Sequence, residues 1–124
     1  MIEGSSVDIA TVSNVKDLVK KEDKVLVCLD SNHTHDHVLK ELKLYTPFVS
    51  KSSYCVVLDT ILENMPKDAY LNRPWSRGDN PKTAVHQFLE DDALQNGESE
   101  FEIDKLIENQ LMITAAPDGF LRRK

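Results

Sequence analysis

Asp30 and Asp59 each close an apolar run, Lys24–Leu29 (KVLVCL) and Ser53–Leu58 (SYCVVL). Two hard carboxylates with room beside them for water and a substrate oxygen suit Mg²⁺. Strands that are direct neighbours lie about 4.8 Å apart, and strands separated by one other about twice that, so either spacing lets the pair share a cation. The alternative is that each aspartate only caps the segment behind it. His33 follows Asp30 by three residues, where an imidazole could take a proton from a substrate hydroxyl near neutral pH. His33, His35 and His37 alternate, and an early helix start would put His33 and His37 on one face. That is a zinc-like spacing, but no third ligand is evident, and solvated or turn-packed loop histidines are the plainer reading. Arg73, Trp75 and Arg77 could line a substrate cleft, or Trp75 could simply anchor a long loop. His86, next to an apolar stripe, reads as structural.

Positioning those side chains requires an α/β scaffold. Met1–Ser6 reads as the end of a strand and its loop, and Asp8–Lys21 as a helix with Ile9, Val12, Val15, Leu18 and Val19 at helical spacing. The two Val-rich runs fit strands buried on both faces, as in parallel sheets. Between them, a helix from Thr34 or His35 to Tyr45 turns Val38, Leu39, Leu42 and Tyr45 inward, and Pro47 ends it. Strand, helix, strand with a long crossover predicts a parallel, right-handed βαβ unit. In such sheets ligands sit beyond the carboxyl ends of the strands, here Glu3-Gly4-Ser5, Asp30–His33 and Asp59-Thr60. Ile61–Asn80 has no period, as expected of a lid or a disordered loop. Asn80-Pro81 opens a helix with Ala84, Val85, Phe88 and Leu89 on its apolar face and Gly97 as its break. Phe101–Asp104 alternates like an edge strand. Leu111–Thr114 and Phe120–Arg122 flank the turn Pro117-Asp118-Gly119, as a hairpin or an extended excursion.

A chain of 124 residues suits one small domain. Its formal charge of −6, from 15 basic and 21 acidic residues, argues against nucleic acid as a partner. No apolar run approaches the roughly 20 residues of a membrane span, and no signal-peptide pattern opens the sequence. Cys28 and Cys55 sit in apolar runs and read as two buried thiols in a reducing compartment, the cytoplasm, although a bridge stays open. The only glycines are at positions 4, 78, 97 and 119, so no Gly-rich nucleotide loop follows a first strand.

Several stretches resemble the cephalosporin hydroxylase and rhamnosyl O-methyltransferase family. They are Met1–Ser6, Val27-Cys28-Leu29-Asp30-Ser31-Asn32-His33-Thr34-His35-Asp36-His37-Val38, Tyr45–Val49, Ser53–Thr60, Pro81–Val85 and Pro117–Arg122. The resemblance implies a class I, S-adenosylmethionine-dependent methyltransferase fold with a Rossmann-like, mostly parallel sheet. It implies that residues 1–124 are the C-terminal half of that domain, ending in an antiparallel strand or hairpin, with the Gly-rich cofactor loop outside them. Asp30 and Asp59 would be Mg²⁺ ligands, and Gly4 and Ser5 would line the adenosine end of the cofactor pocket with Asp30 beside it; His33, from its place behind Asp30, is the candidate catalytic base. One departure is Leu58-Asp59, where the family carries an acidic pair. The implied reaction is methyl transfer to a hydroxyl of a sugar or other small acceptor, with weak or no cofactor binding by these 124 residues alone. Two alternatives remain: a non-catalytic remnant that pairs with another chain, including its own copy, through an exposed sheet edge, or hydroxylase-related chemistry. For the latter no two-His-one-carboxylate iron site and no haem or flavin motif is visible.

Overall fold

The two apolar runs become neighbouring parallel strands, β1 (Val27–Leu29) and β2 (Tyr54–Val57), with Cys28 opposite Val56 and Leu29 opposite Val57. The computed structural model describes all residues from 1 to 124. Two further strands, β3 (Phe101–Ile103) and β4 (Phe120–Arg123), complete one four-stranded sheet in the order β1-β2-β4-β3. β4 runs antiparallel to both β2 and β3. The α/β class and the antiparallel C-terminal strand are as expected, and parallel pairing is confined to β1 and β2.

Four helices accompany the sheet: α1 (Ile9–Leu18), α2 (His35–Tyr45), α3 (Pro81–Asn96) and α4 (Lys105–Leu111). α2 and α3 pack over one sheet face. Val38, Leu42, Ala84, Val85 and Phe88 meet Leu29, Cys55, Val57, Phe101 and Leu121 there in a single core. α3 starts where Asn80 accepts the backbone N–H groups of Lys82 and Thr83 while Thr83 Oγ1 accepts from Asn80 N, a reciprocal cap. It stops at Gly97, whose φ of 84° few other residues tolerate.

Four expectations need correction. Residues 1–3 form no strand. The first run pairs only from Val27, opposite Cys55; Val25 is held instead by Ser50, whose Oγ accepts from Val25 N at 2.9 Å and whose N–H donates to Val25 O at 3.2 Å. Leu111–Thr114 is no hairpin arm: Leu111 ends α4 and the rest follows it, and β4 pairs with β2 and β3 instead. Cys28 is exposed, since the alternation of side chains points it away from the core on a strand at the sheet margin. Cys55 faces the core, where burial, then Cys28 and Glu41, push its thiol up to about 12. The two thiols are therefore free, on opposite faces.

The Pro117-Asp118-Gly119 turn docks on the carboxyl end of β2 rather than reversing a hairpin. Thr60 Oγ1 donates to Pro117 O at 2.6 Å, and Val57 N to Gly119 O at 2.8 Å. Asp118 adds an ionic tie, accepting from Lys105 Nζ and lying 3.1 Å from Lys82 Nζ and 3.3 Å from His86 Nε2. Burial alone would raise its carboxyl, but the bonds from Lys105 and Lys82 outweigh that and hold it at about 2. A depressed carboxyl stabilises the fold above its unfolded value and loses that contribution as the pH falls through the folded value. Asp118→Asn should therefore lower the unfolding free energy by about 2 kcal/mol at neutral pH, with the difference from the parent vanishing between about pH 4 and 2. Denaturant titrations of both proteins across that range check it, and a difference independent of pH would contradict it.

Candidate functional site at the strand ends

β1 and β2 end side by side, and Leu58 N donates to Leu29 O at 3.0 Å as the last rung between them. Past that rung the two chains separate and present Asp30 and Asp59. Asp59 has φ 54° and ψ 25°, a left-handed conformation that Asp adopts more readily than most residues, and one typical of functional turns. Asn32 shapes the other turn, its Oδ1 accepting from Thr34 N and Thr34 Oγ1, each at 2.9 Å. Because α2 begins only at His35, His33 stays in that turn and swings back over the strand ends.

His33 thereby comes between the two carboxylates, with Nε2 3.0 Å from Asp59 Oδ2 and 3.5 Å from Asp30 Oδ1. One ligand atom from each of the three side chains lies within 4.8 Å of the others. The imidazole is 16% exposed, against 45% for Asp59 and 56% for Asp30. Both of its ring nitrogens are buried without an aligned hydrogen-bond partner. Buried polar atoms of this kind are rare in folded proteins and point to an ion, a water or a substrate atom. Two exposed carboxylates with free oxygens are a donor set that fits a small divalent cation, and the unsatisfied imidazole between them is open to a substrate atom.

The site opens into a cleft of about 390 Å³ lined by Ser31, His33, Asp59, Ile61, Leu62, Tyr70, Arg73 and Trp75. Trp75 is tilted against His33, with ring centroids 4.8 Å apart, and the Arg73 guanidinium lies 5.3 Å from the centre of the indole. Arg77 turns elsewhere, its Nε 3.8 Å from Glu63 Oε1.

The other histidines are placed apart. His37 Nε2 meets Ser6 Oγ at 3.1 Å, Ser31 Oγ at 3.2 Å and Glu41 Oε1 at 3.5 Å, so His33 and His37 form no zinc pair. His35 bonds Thr83 Oγ1 at 2.8 Å, and His86 reaches Asp118, a structural place as expected. Gly4 and Ser5 are both exposed, and Gly4, at φ 147°, turns so close to Thr11 that a Cβ there would collide with the Thr11 hydroxyl. It is Ser6 that reaches the end of β1, 3.4 Å from Ser31 Oγ, while its carbonyl accepts from Tyr45 OH at 2.8 Å.

A second groove of about 350 Å³ runs beside β1, lined by Ser6, Val27, Cys28, Leu29, Asp30, Ser31, Glu41 and Tyr45. Glu41 is 2% exposed; its Oε1 accepts from Ser31 Oγ at 2.7 Å, and its Oε2 has no partner. Glu41 escaped the sequence reading, yet it falls three residues after Val38 and four before Tyr45, which is the inward face of α2. With Asp30 it brings two carboxyl groups to the groove, which fits a cationic ligand.

The family described as Rhamnosyl O-methyltransferase/CmcI matches residues 1–124. Rhamnosyl O-methyltransferases of Mycobacterium bovis (strain BCG / Pasteur 1173P2) and Mycobacterium tuberculosis (strain ATCC 25618 / H37Rv) are each 32% identical over 123 residues. The match covers 98% of this chain and 46% of each relative, so the chain spans just under half their length. No solved structure matches it significantly.

Proposed function

The chain belongs to the rhamnosyl O-methyltransferase/CmcI family, and on that premise we propose that it forms the acceptor and cation side of an S-adenosylmethionine-dependent sugar O-methyltransferase. The observation that carries this reading is the convergence of Asp30, His33 and Asp59 at the ends of two parallel strands. The span of 46% of each relative fits residues 1–124 being about half of a longer methyltransferase, and we take them as its C-terminal half. Free thiols at Cys28 and Cys55 suit a reducing compartment such as the cytoplasm.

In this mechanism Asp30 and Asp59 would hold Mg²⁺, which would lower the pKa of the acceptor hydroxyl and fix its position. Leu58 supplies no carboxylate, so Asp30 and Asp59 are the acidic residues that would hold the cation. His33 Nε2 takes the proton of the acceptor hydroxyl, and Asp59, 3.0 Å away, stabilises the imidazolium that results. S-adenosylmethionine would supply the methyl group, an O–CH3 bond to the acceptor replacing its S–CH3 bond and leaving the neutral thioether. The carboxyl groups of Glu41 and Asp30, in the groove beside β1, suit its positive charge, and Ser6, which follows Gly4 and Ser5 in sequence, lines the same groove. Tyr70, Trp75 and Leu62 keep bulk water from the acceptor side.

A second reading has support of its own. β1 is an unpaired sheet edge, and Ile9 and Leu18 of α1 are 82% and 68% exposed, so the chain has a surface able to pair with another polypeptide, including a second copy. One experiment separates the two. Radiolabelled S-adenosylmethionine, Mg²⁺ and methyl α-L-rhamnopyranoside are incubated with the chain alone, and with the chain plus the N-terminal half of a related family member. Labelled sugar in the combined mixture, lost on His33→Ala, supports methyl transfer. No label in either mixture, with the chain sedimenting as a dimer, overturns it in favour of the pairing role.

A further inference from the structure

We propose that Trp75 is the platform on which the acceptor lies, so that the cleft selects a pyranose ring by its C–H face. The proposal rests on the reading of this site as a sugar O-methylation centre.

Trp75 is the chain's only tryptophan, is half-buried, and is absent from the hydrophobic core and from the residues packed against that core. Its contacts are instead with the site: the His33 ring on one hand and the Arg73 guanidinium on the other. A large aromatic ring that contributes nothing to the core, beside an unsatisfied imidazole, is placed for a ligand.

The chain also holds this ring in position. Immediately after Trp75, Ser76 and Asp79 exchange both backbone hydrogen bonds, at 2.9 and 3.0 Å. Asp79 Oδ1 accepts from His35 N at 2.7 Å, which ties this turn to the start of α2. Glu63 Oε2 accepts from Gly78 N at 2.8 Å and from Asn80 Nδ2 at 2.5 Å, which ties it to the segment after β2. The platform is thus fixed to the same two elements that carry His33 and Asp59, and their relative positions are set before any ligand arrives.

The lining of the cleft indicates what lies on it. Half of the lining is apolar or aromatic (Trp75, Tyr70, Ile61 and Leu62) and half polar (Ser31, His33, Asp59 and Arg73). A pyranose has the matching division: axial C–H bonds on a face, attracted to the negative face of an aromatic ring, and hydroxyls around the rim. Arg73 is exposed, so its guanidinium is free to leave the indole and donate to rim hydroxyls. An acyclic polyol offers the hydroxyls without the flat apolar face.

Because Trp75 is the sole tryptophan, intrinsic fluorescence reports on this position alone. Methyl α-L-rhamnopyranoside titrated into the 124-residue chain should change Trp75 emission saturably, and mannitol at equal concentration should not. Saturation-transfer NMR then compares variants. Trp75→Phe, which keeps a flat ring, should bind the glycoside within about threefold of the parent, and Trp75→Ala at least about tenfold more weakly. A loop anchor would instead show an altered melting temperature in Trp75→Ala with unchanged sugar affinity, which overturns the proposal. Equal effects of mannitol and the glycoside, or no saturable change in the parent, overturn it as well. None of these readings needs S-adenosylmethionine. Sugar bound on Trp75 without methyl transfer would refute the methylation reading alone, and methyl transfer undiminished in Trp75→Ala would refute the platform alone.

Discussion

If Asp30 and Asp59 hold a divalent cation as proposed, Asp59→Asn should leave the chain folded and weaken binding of that cation about a hundredfold or more. The fold survives because the side chain is 45% exposed and lies outside the core, and because asparagine tolerates the left-handed conformation at φ 54° about as well as aspartate. The cation is lost because only Asp30 and Asp59 offer carboxylates there, Leu58 contributing none. Replacing groups that merely support ligands already costs 10–100-fold. Removal of one of two charged ligands belongs at or beyond the upper end of that range. Calorimetric titration with Mn²⁺, a Mg²⁺ substitute, reads the affinity, and circular dichroism confirms the fold. Affinity within threefold of the parent would mean that cations bind elsewhere.

Gly119→Ala acts on the scaffold beneath the same site and should cost about 3 kcal/mol or more, a fall in Tm on the order of 10 °C. A Cβ at this buried position would collide with the carbonyl oxygen of Val57 and lie 3.1 Å from both the Cβ and the carbonyl oxygen of Ala116. Neither neighbour gives way easily. Val57 sits in β2 and donates to Gly119 O at 2.8 Å, while Gly119 N donates to Ala116 O at 2.9 Å. The collision falls two residues before Asp59, so any relief displaces the strand end that carries it. Thermal unfolding should show the loss and Mn²⁺ titration a parallel weakening. A Tm within a degree or two of the parent would show that the turn moves freely on β2.

What the sequence revealed depended on how local the determinant was. β1 and β2 were legible because each is an apolar run ended by polar turn formers, with one amphipathic helix between. Asp30, His33 and Asp59 were legible for the same reason: strand ends fix where carboxylates go, and His33 is only three residues from Asp30. β4 was legible as an extended segment but not in its pairing, since β2 lies distant in sequence. Leu111–Thr114 looked like a hairpin arm because a Pro-Asp-Gly turn follows it, and nothing local shows that this turn docks on the end of β2. Exposure of Cys28 follows from the place of β1 at the sheet margin, which an apolar run does not encode. Glu41 could have been found, since helical spacing puts it inward, but a charged residue is ordinarily assigned to solvent. Trp75 was noticed as a cleft candidate, while its contact with His33 depends on a turn closed by Ser76, Asp79 and Glu63.

The central claim is that Asp30, His33 and Asp59 form one cation and acceptor site. Paramagnetic broadening by Mn²⁺ in the NMR spectrum of the isotope-labelled chain tests it most directly. At substoichiometric Mn²⁺, resonances of Asp30, His33 and Asp59 should disappear first, followed by the indole of Trp75, whose ring lies 4.8 Å from that of His33. The same spectrum of Asp59→Asn should stay sharp. Broadening centred on another acidic pair such as Asp91 and Asp92, or equal broadening in parent and variant, would contradict the claim.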